Sequence, residues 1–206
     1  LSKTASFRDF LKTGKLGPLE TGKTLLAVAD ALGPPNWFQI HPDTKLVPSY
    51  WGYGKVEISF DLDPPYEIQW FQIENAGELS GKHEAIAKDF KLALEGFSAT
   101  TKPSEFLQAG LWLEAIVHIG ALADDLYLNI SAGRVAMHFR VDSSFVEDGD
   151  AARYANNTPV TDLVKDLDSK TTIDSIYAMP SPDEAIRSAS VTTIHQISGK
   201  DYLAAL

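Results

Sequence analysis

The spacing of apolar residues divides this chain into short helices and half-buried strands. In residues 5–13, Phe7, Phe10 and Leu11 recur at helical spacing with Arg8, Asp9 and Lys12 between them. This predicts a short amphipathic helix, ended by Gly14, Gly17 and Pro18. A second helix runs to about Leu32, capped by Thr21 or Thr24, with Leu25, Val28, Ala29 and Leu32 as its stripe and Gly33-Pro34-Pro35 as its stop. Residues 36–53 read as a loop dense in aromatics. Residues 55–62 then alternate strictly, with Val56, Ile58, Phe60 and Leu62 on one side and Lys55, Glu57, Ser59 and Asp61 on the other. That is the pattern of a half-buried strand. Asp63-Pro64-Pro65 turns the chain, and 67–74 returns as a strand apolar on both faces, hence central in its sheet.

Beyond this point the pattern is less uniform. Residues 82–97 fit a helix through Ile86, Phe90, Ala93 and Phe97, and a strand through Phe90, Leu92 and Leu94. A capped turn at 100–104 predicts a helix to about Ile119, with Phe106, Leu107, Leu111, Leu113 and Val117 on its apolar side. Residues 133–141 alternate, with Val135, Met137, Phe139 and Val141 inward. A polar loop at 147–157, a short helix at 158–167 and a strand at 172–179 follow. Ser181-Pro182-Asp183-Glu184 has the chemistry of a helix start, with Ser as N-cap, Pro in the first turn and Glu placed for a capping box.

Two of these stretches match each other. The run from Gly54 to Asp63 aligns with the run from Gly133 to Asp142, with Gly, Val, Phe and Asp identical, and each follows a helix predicted to end at Gly33 or Gly120. Chance likeness between half-buried strands is the competing explanation. The matched strands point to two α-then-β-hairpin units, 1–97 and 98–180, with a helical tail at 181–206, either separate or merged into one compact domain. The expected fold class is α+β: an antiparallel sheet with helices packed on one side, as two related α-ββ halves.

Composition narrows the function classes. The 206 residues carry a formal net charge of −10. Nucleic acid and anionic membrane both require a basic face, so neither is the expected partner. The absence of cysteine removes thiolate nucleophiles, zinc–thiolate sites and disulfides. The longest apolar runs are too short to span a bilayer, and the polar first 15 residues show no signal peptide. A cytoplasmic location is the expectation, with no cofactor.

Candidate chemistry is sparse. Residues 17–24 match G-x-x-x-x-G-K-[ST] through Gly17, Gly22, Lys23 and Thr24. A phosphate loop needs a buried parallel strand before it, whereas the preceding residues are charged and helical in period. Turn and N-cap chemistry explains the same residues. Nucleotide binding through these four residues is kept as the alternative. The histidines form no metal pair on a helix. His118 with Asp124 and Asp125 could hold a metal, though a structural His118 fits as well. Asp61 and Asp63 flank a Pro-Pro turn, where Asp is expected anyway. No G-x-S-x-G elbow occurs. The aromatic segment is the stronger candidate. Phe38, Tyr50 and Tyr53, with Glu57 and Asp61 from the following strand, are the expected partner-binding residues, because Trp and Tyr dominate interface hot spots. Trp37 and Trp51 read as core.

The first third of the chain also carries a resemblance. Phe10-Leu11, Gly14, Leu16-Gly17-Pro18-Leu19, Gly22, Thr24, Val28, Leu32-Gly33 and Pro35, followed by Trp51, Tyr53-Gly54, Val56-Glu57 and Phe60, resemble a set of uncharacterised bacterial proteins, some of them like immunity proteins of toxin systems. The Gly-x-Thr…Val…Leu-Gly-x-Pro core is similar to the small outer-membrane assembly lipoproteins of SmpA/OmlA type, and to the β-lactamase inhibitory protein with its tandem α-then-antiparallel-sheet repeat. The resemblance implies that Gly22 and Thr24 are a turn and an N-cap, and that Lys23 stands where these families often carry an apolar residue. The lipoprotein function does not carry over, since no cysteine is present to lipidate, and no inhibitory loop can be matched. What the resemblance implies is a fold and a habit of binding another protein. The expected function is a non-enzymatic protein-binding module of immunity type.

Overall fold

The computed structural model describes residues 3–40, 47–146, 150–190 and 193–206. Nine strands form one antiparallel sheet, in the order β12(Thr193–Ser198), β8(Ile116–Leu122), β9(Asp125–Ala132), β10(Val135–Val141), β11(Thr171–Ala178), β5(Ile68–Ile73), β4(Val56–Phe60), β3(Pro48–Tyr53) and β2(Trp37–Ile40). A small sheet pairs β1(Lys3–Ser6) in parallel with β7(Phe90–Ala93), which pairs antiparallel with β6(His83–Ala87). The class is α+β.

Side-chain alternation gives the large sheet two unlike faces. On the inner face, Ile58, Phe71, Ile73, Ile130, Met137 and Ile176 meet helices α1(Phe7–Thr13), α2(Leu25–Leu32), α3(Pro103–Gln108), α4(Ala151–Asn157), α5(Val160–Asp168) and α7(Gly199–Ala205) in one continuous core. Phe10 of α1 lies on Phe71, with ring centres 5.8 Å apart, and Phe106 of α3 lies edge-on to Phe139 at 6.0 Å. The small sheet closes this core with Ala5, Ile86 and Leu92. Helix α6(Pro182–Ala189) lies on the opposite face, where Ala185 and Ala189 pack on Ala136 of β10. The helices therefore sit mainly, not wholly, on one side.

The strand registers contain an internal two-fold. Gln72 of β5 pairs with Tyr177 of β11, and the sheet repeats itself to either side of that pair. Val56 pairs with Ile73 in the first half, and Val135 with Ala178 in the second. Tyr53 pairs with Val56, and Ala132 with Val135. Trp37 pairs with Gly52, and Ile116 with Ser131. Even the irregularity is repeated: the register of β4 on β5 shifts between Ser59 and Phe60, and that of β10 on β11 shifts between His138 and Phe139. The matched stretches of sequence are these strands, and Gly54 and Gly133 make the equivalent hairpin turns at φ 55° and 54°. Each half contributes four strands to one sheet rather than a single hairpin, and the halves meet edge to edge through β5 and β11.

Five local readings change. The aromatic segment 36–53 is not a loop: its described parts are β2 and β3, while 41–46 lie outside the described residues. The ambiguous 82–97 resolves as β6 and β7. The helix expected to reach Ile119 stops at Gln108, and Gly110 (φ 66°) reverses the chain. Residues 116–122 are then strand, because Val117, Ile119 and Ala121 alternate onto the inner face with His118 and Gly120 opposite. Gly120 is thus a strand residue and ends no helix. The polar segment at 147–157 holds α4 over its described part. The tail at 181–206 is helix, strand and helix, since β12 completes the large sheet.

Candidate functional site

The phosphate-loop pattern is built as a turn between helices. Helix α1 ends at Gly14 in the left-handed conformation, and Leu16 and Leu19 form a small bridge over Gly17. No strand leads into the segment among the described residues. Gly22 N–H donates to the Ile68 carbonyl and Ile68 N–H to the Lys23 carbonyl, so the turn is tied to the start of β5. The Thr24 hydroxyl accepts from Ala27 N–H as the N-cap of α2. That oxygen is committed to the helix start.

The outer face of the sheet is where chemistry gathers. In the second half of the sheet this face is covered by α6, whose Ala189 carbonyl accepts from Asn129 Nδ2 at 2.9 Å. In the first half no helix among the described residues lies on it. The side chains left bare are aromatic and acidic. Tyr50 of β3 packs on Trp70 of β5 with centres 5.9 Å apart. Trp70 packs on Tyr177 of β11 at 5.7 Å, and Tyr177 on His138 of β10 at 4.9 Å. This file of rings, drawn from four strands, spans five strands obliquely and is partly exposed throughout. At its outer end the indole of Trp37 lies across Gly52, where a Cβ would overlap the ring. Glycine is required there by that close approach, since its own φ is unremarkable.

Beside the rings lies a carboxyl pair. Gln72 Nε2 donates to Glu57 Oε2 at 3.0 Å and to Glu74 Oε1 at 3.2 Å. One amide therefore holds both side chains. The hydrogen bond to Glu57 raises the Glu74 carboxyl to about 7, with burial and repulsion from Glu57 adding to it. Glu74 thus keeps its proton up to near-neutral pH. Tyr177 is pushed up, chiefly by burial. Further along the face His138 is held down to about 4 by burial, and its Nε2 has no partner among the described residues. A depression of about 270 Å³ opens there between His138, Tyr127, Arg140 and Asp174, the last two joined at 3.0 Å.

The sequence-derived residues fall in different places. Tyr50 and Glu57 are on the bare half-face. Phe38 is exposed (59%) on the edge strand β2, where its register with Trp51 aims it to the inner side. Tyr53 is buried (1%) and its hydroxyl donates to the Gly33 carbonyl at 2.7 Å, so it is part of the core. Asp61 accepts from Asp63 N–H at 3.1 Å and serves the turn. Trp51 is core as expected, whereas Trp37 is 42% exposed. His118 is buried, with Ser131 Oγ at 3.0 Å from Nε2, and stands as a structural residue. Among the described residues no group of three or more His, Asp or Glu is arranged to hold a metal. The residues that sequence reasoning missed are Trp70, Gln72, Glu74 and Tyr177. Strand alternation gave Trp70, Gln72 and Glu74 a common face with one another. Only the β5–β11 pairing brings Tyr177 beside them.

Comparison with protein-family models, with curated proteins and with solved structures finds no match. No helix among the described residues is long and apolar enough to cross a membrane.

Proposed function

We propose that the protein is a non-enzymatic binding module that receives another protein on the bare half of its outer sheet face. The observation that carries this reading is the ring file Tyr50–Trp70–Tyr177, partly exposed beside Trp37, with Tyr177 at its inner end packed against the α6 contact. Large rigid aromatics bury much area for little lost rotamer freedom, which is why Trp and Tyr recur at interface hot spots. Pairing with a toxin, as an immunity-type protein, is the finer form that the resemblance of the first 75 residues adds. The test is a purified pair. A protein captured from the native host by this chain is identified, expressed separately and titrated back. The reading expects 1:1 binding that weakens at least tenfold in Tyr50→Ala and Trp70→Ala while the melting temperature stays near that of the parent. A pair whose affinity ignores both substitutions would rule it out.

A further inference from the structure

We infer that helix α6 is a displaceable cover: it lifts from the outer face as one unit while the sheet and the inner core stay folded, and so uncovers the second half-face around Asn129 and His138. This goes beyond the protein-binding reading. It is tested without a partner, so its failure leaves that reading standing.

The attachment of α6 is unlike that of the other helices. Its buried residues, Ala185 and Ala189, pack with Ala136 in a cluster apart from the continuous core, edged by the partly buried Tyr177 and Met179. Helix α5, of similar length, buries Leu163, Val164 and Leu167 in that core. Hydrophobic stabilisation scales with the apolar area removed from water, so two methyl groups hold far less than three branched side chains. Polar contacts add little. Asn129 Nδ2 donating to the Ala189 carbonyl is the one side-chain hydrogen bond between α6 and the sheet among the described residues, and the Glu184–Arg187 ion pair lies within the helix.

Closing α6 onto this face leaves polar atoms stranded. His138 Nε2 and Asn129 Oδ1, on residues paired across β10 and β9, are buried with no partner among the described residues, and so is Glu184 Oε2 on α6 itself. A buried polar atom without a partner has given up its hydration for nothing. Lifting α6 lets water reach these atoms.

The helix is a strap between two fixed points. Before it, Met179 donates from its N–H to the Arg134 carbonyl at 2.8 Å and accepts from Arg134 Nε at 3.1 Å. After it, β12 pairs with β8 from Thr193 onward. No strand pairing runs through α6, so its departure breaks no ladder. The first half of the same sheet has no helix on its outer face among the described residues. Under the protein-binding reading, the ground that α6 uncovers adjoins Tyr177, and a partner seated on the ring file extends onto it.

The chain has no cysteine, so a single introduced thiol is a clean reporter. Ala136 and Met137 are neighbours on β10, both buried, the first under α6 and the second in the inner core. Ala136→Cys and Met137→Cys are labelled with dithiodipyridine, each rate taken relative to that of the same variant unfolded in urea. Urea unfolding of each variant gives the labelling that global unfolding alone would produce. Ala136→Cys is expected to label about tenfold or more above that rate, with little response to dilute urea, while Met137→Cys follows it. Adding His138→Phe keeps a ring against Tyr177 and removes the unpartnered nitrogen, and is expected to slow the labelling of Ala136→Cys several-fold. In the unmodified chain the amides inside α6 are expected to exchange with one common opening constant, larger than those of β9 and β10. Labelling of Ala136→Cys at its global unfolding rate overturns the inference. So does amide exchange graded inward from the helix ends, which is fraying, and so does labelling that His138→Phe leaves as fast as before.

Discussion

The hydroxyl of Ser104 donates to Oδ2 of Asp168 at 2.8 Å, while the backbone N–H of the same serine donates to Oδ1 at 2.9 Å. Tyr202 adds a third hydrogen bond to Oδ1 at 3.1 Å. One buried carboxylate thus joins the first turn of α3, the end of α5 and the middle of α7, all below the inner face of the second half. Asp168→Ala leaves three buried donors without an acceptor. Hydrogen bonds to charged groups contribute about 1.5–3 kcal/mol each and are not additive. The expected loss is about 3 kcal/mol in urea unfolding, against about 1 kcal/mol for Tyr202→Phe, which removes one donor and keeps the ring.

Glu74 gives the protein a pH dependence of identifiable sign. Its carboxyl is raised in the folded state from 4.5 to about 7, so the folded state holds the proton more tightly than the unfolded chain. Stability from this group is fully present below about pH 4.5 and is lost as pH rises through 7. Denaturation of parent and Glu74→Gln at pH 5 and pH 7.5 separates it from all other groups. The parent should lose more stability than the variant across that interval.

His138 works in the opposite sense over nearly the same range. Burial lowers it from 6.5 to about 4, so the folded state resists protonation. Its contribution is present above pH 6.5 and is lost as pH falls through 4. His138→Gln should therefore soften the acid side of the stability profile. Midpoints measured from pH 7 down to pH 4 for parent and variant test this, and an unchanged slope would refute it.

Gly54 and Gly133 occupy the same turn in the two halves, with different surroundings. Both hold positive φ, which strains an alanine by about 1 kcal/mol. At Gly133 nothing among the described residues lies within reach of an added Cβ, whereas at Gly54 it would come within 2.9 Å of the Ile86 carbonyl in the small sheet. Gly54→Ala should cost at least twice as much as Gly133→Ala in thermal unfolding. Equal costs would mean that the small sheet yields freely.

Much of this architecture was legible in the sequence where apolar residues follow one period without interruption. Val56-x-Ile58-x-Phe60 and Val135-x-Met137-x-Phe139 gave strands at the right places, and the Ser181-Pro182 start gave α6. The reading failed where two periods overlap. Leu107, Leu111 and Leu113 sustain a helical spacing into Val117, yet Leu113 is 97% exposed and Gly110 has already ended the helix. Strand β9 was missed because Asn129 and Ser131 face α6 or the covered sheet while Leu128 and Ile130 face the core, so burial on both sides is not written as simple alternation in hydrophobicity. Within the bare half-face, Tyr50 and Glu57 came from the sequence as contact candidates. Trp70 was read only as a strand residue, because nothing local says which face of a central strand is left uncovered.

The two-fold at Gln72 and Tyr177 has a consequence for valency. In a homodimer each contact across the axis occurs twice, and the residues facing each other at the axis are identical. Here the two equivalents, Gln72 and Tyr177, differ. One chain thus holds what would otherwise be a dimer joined by a linker, and each side of the axis is free to change alone. One side is covered by its own helix α6, and the other carries no helix among the described residues. A symmetric dimer of the same shape would carry two uncovered half-faces; this chain carries one, so under the protein-binding proposal its complexes would stop at a single partner.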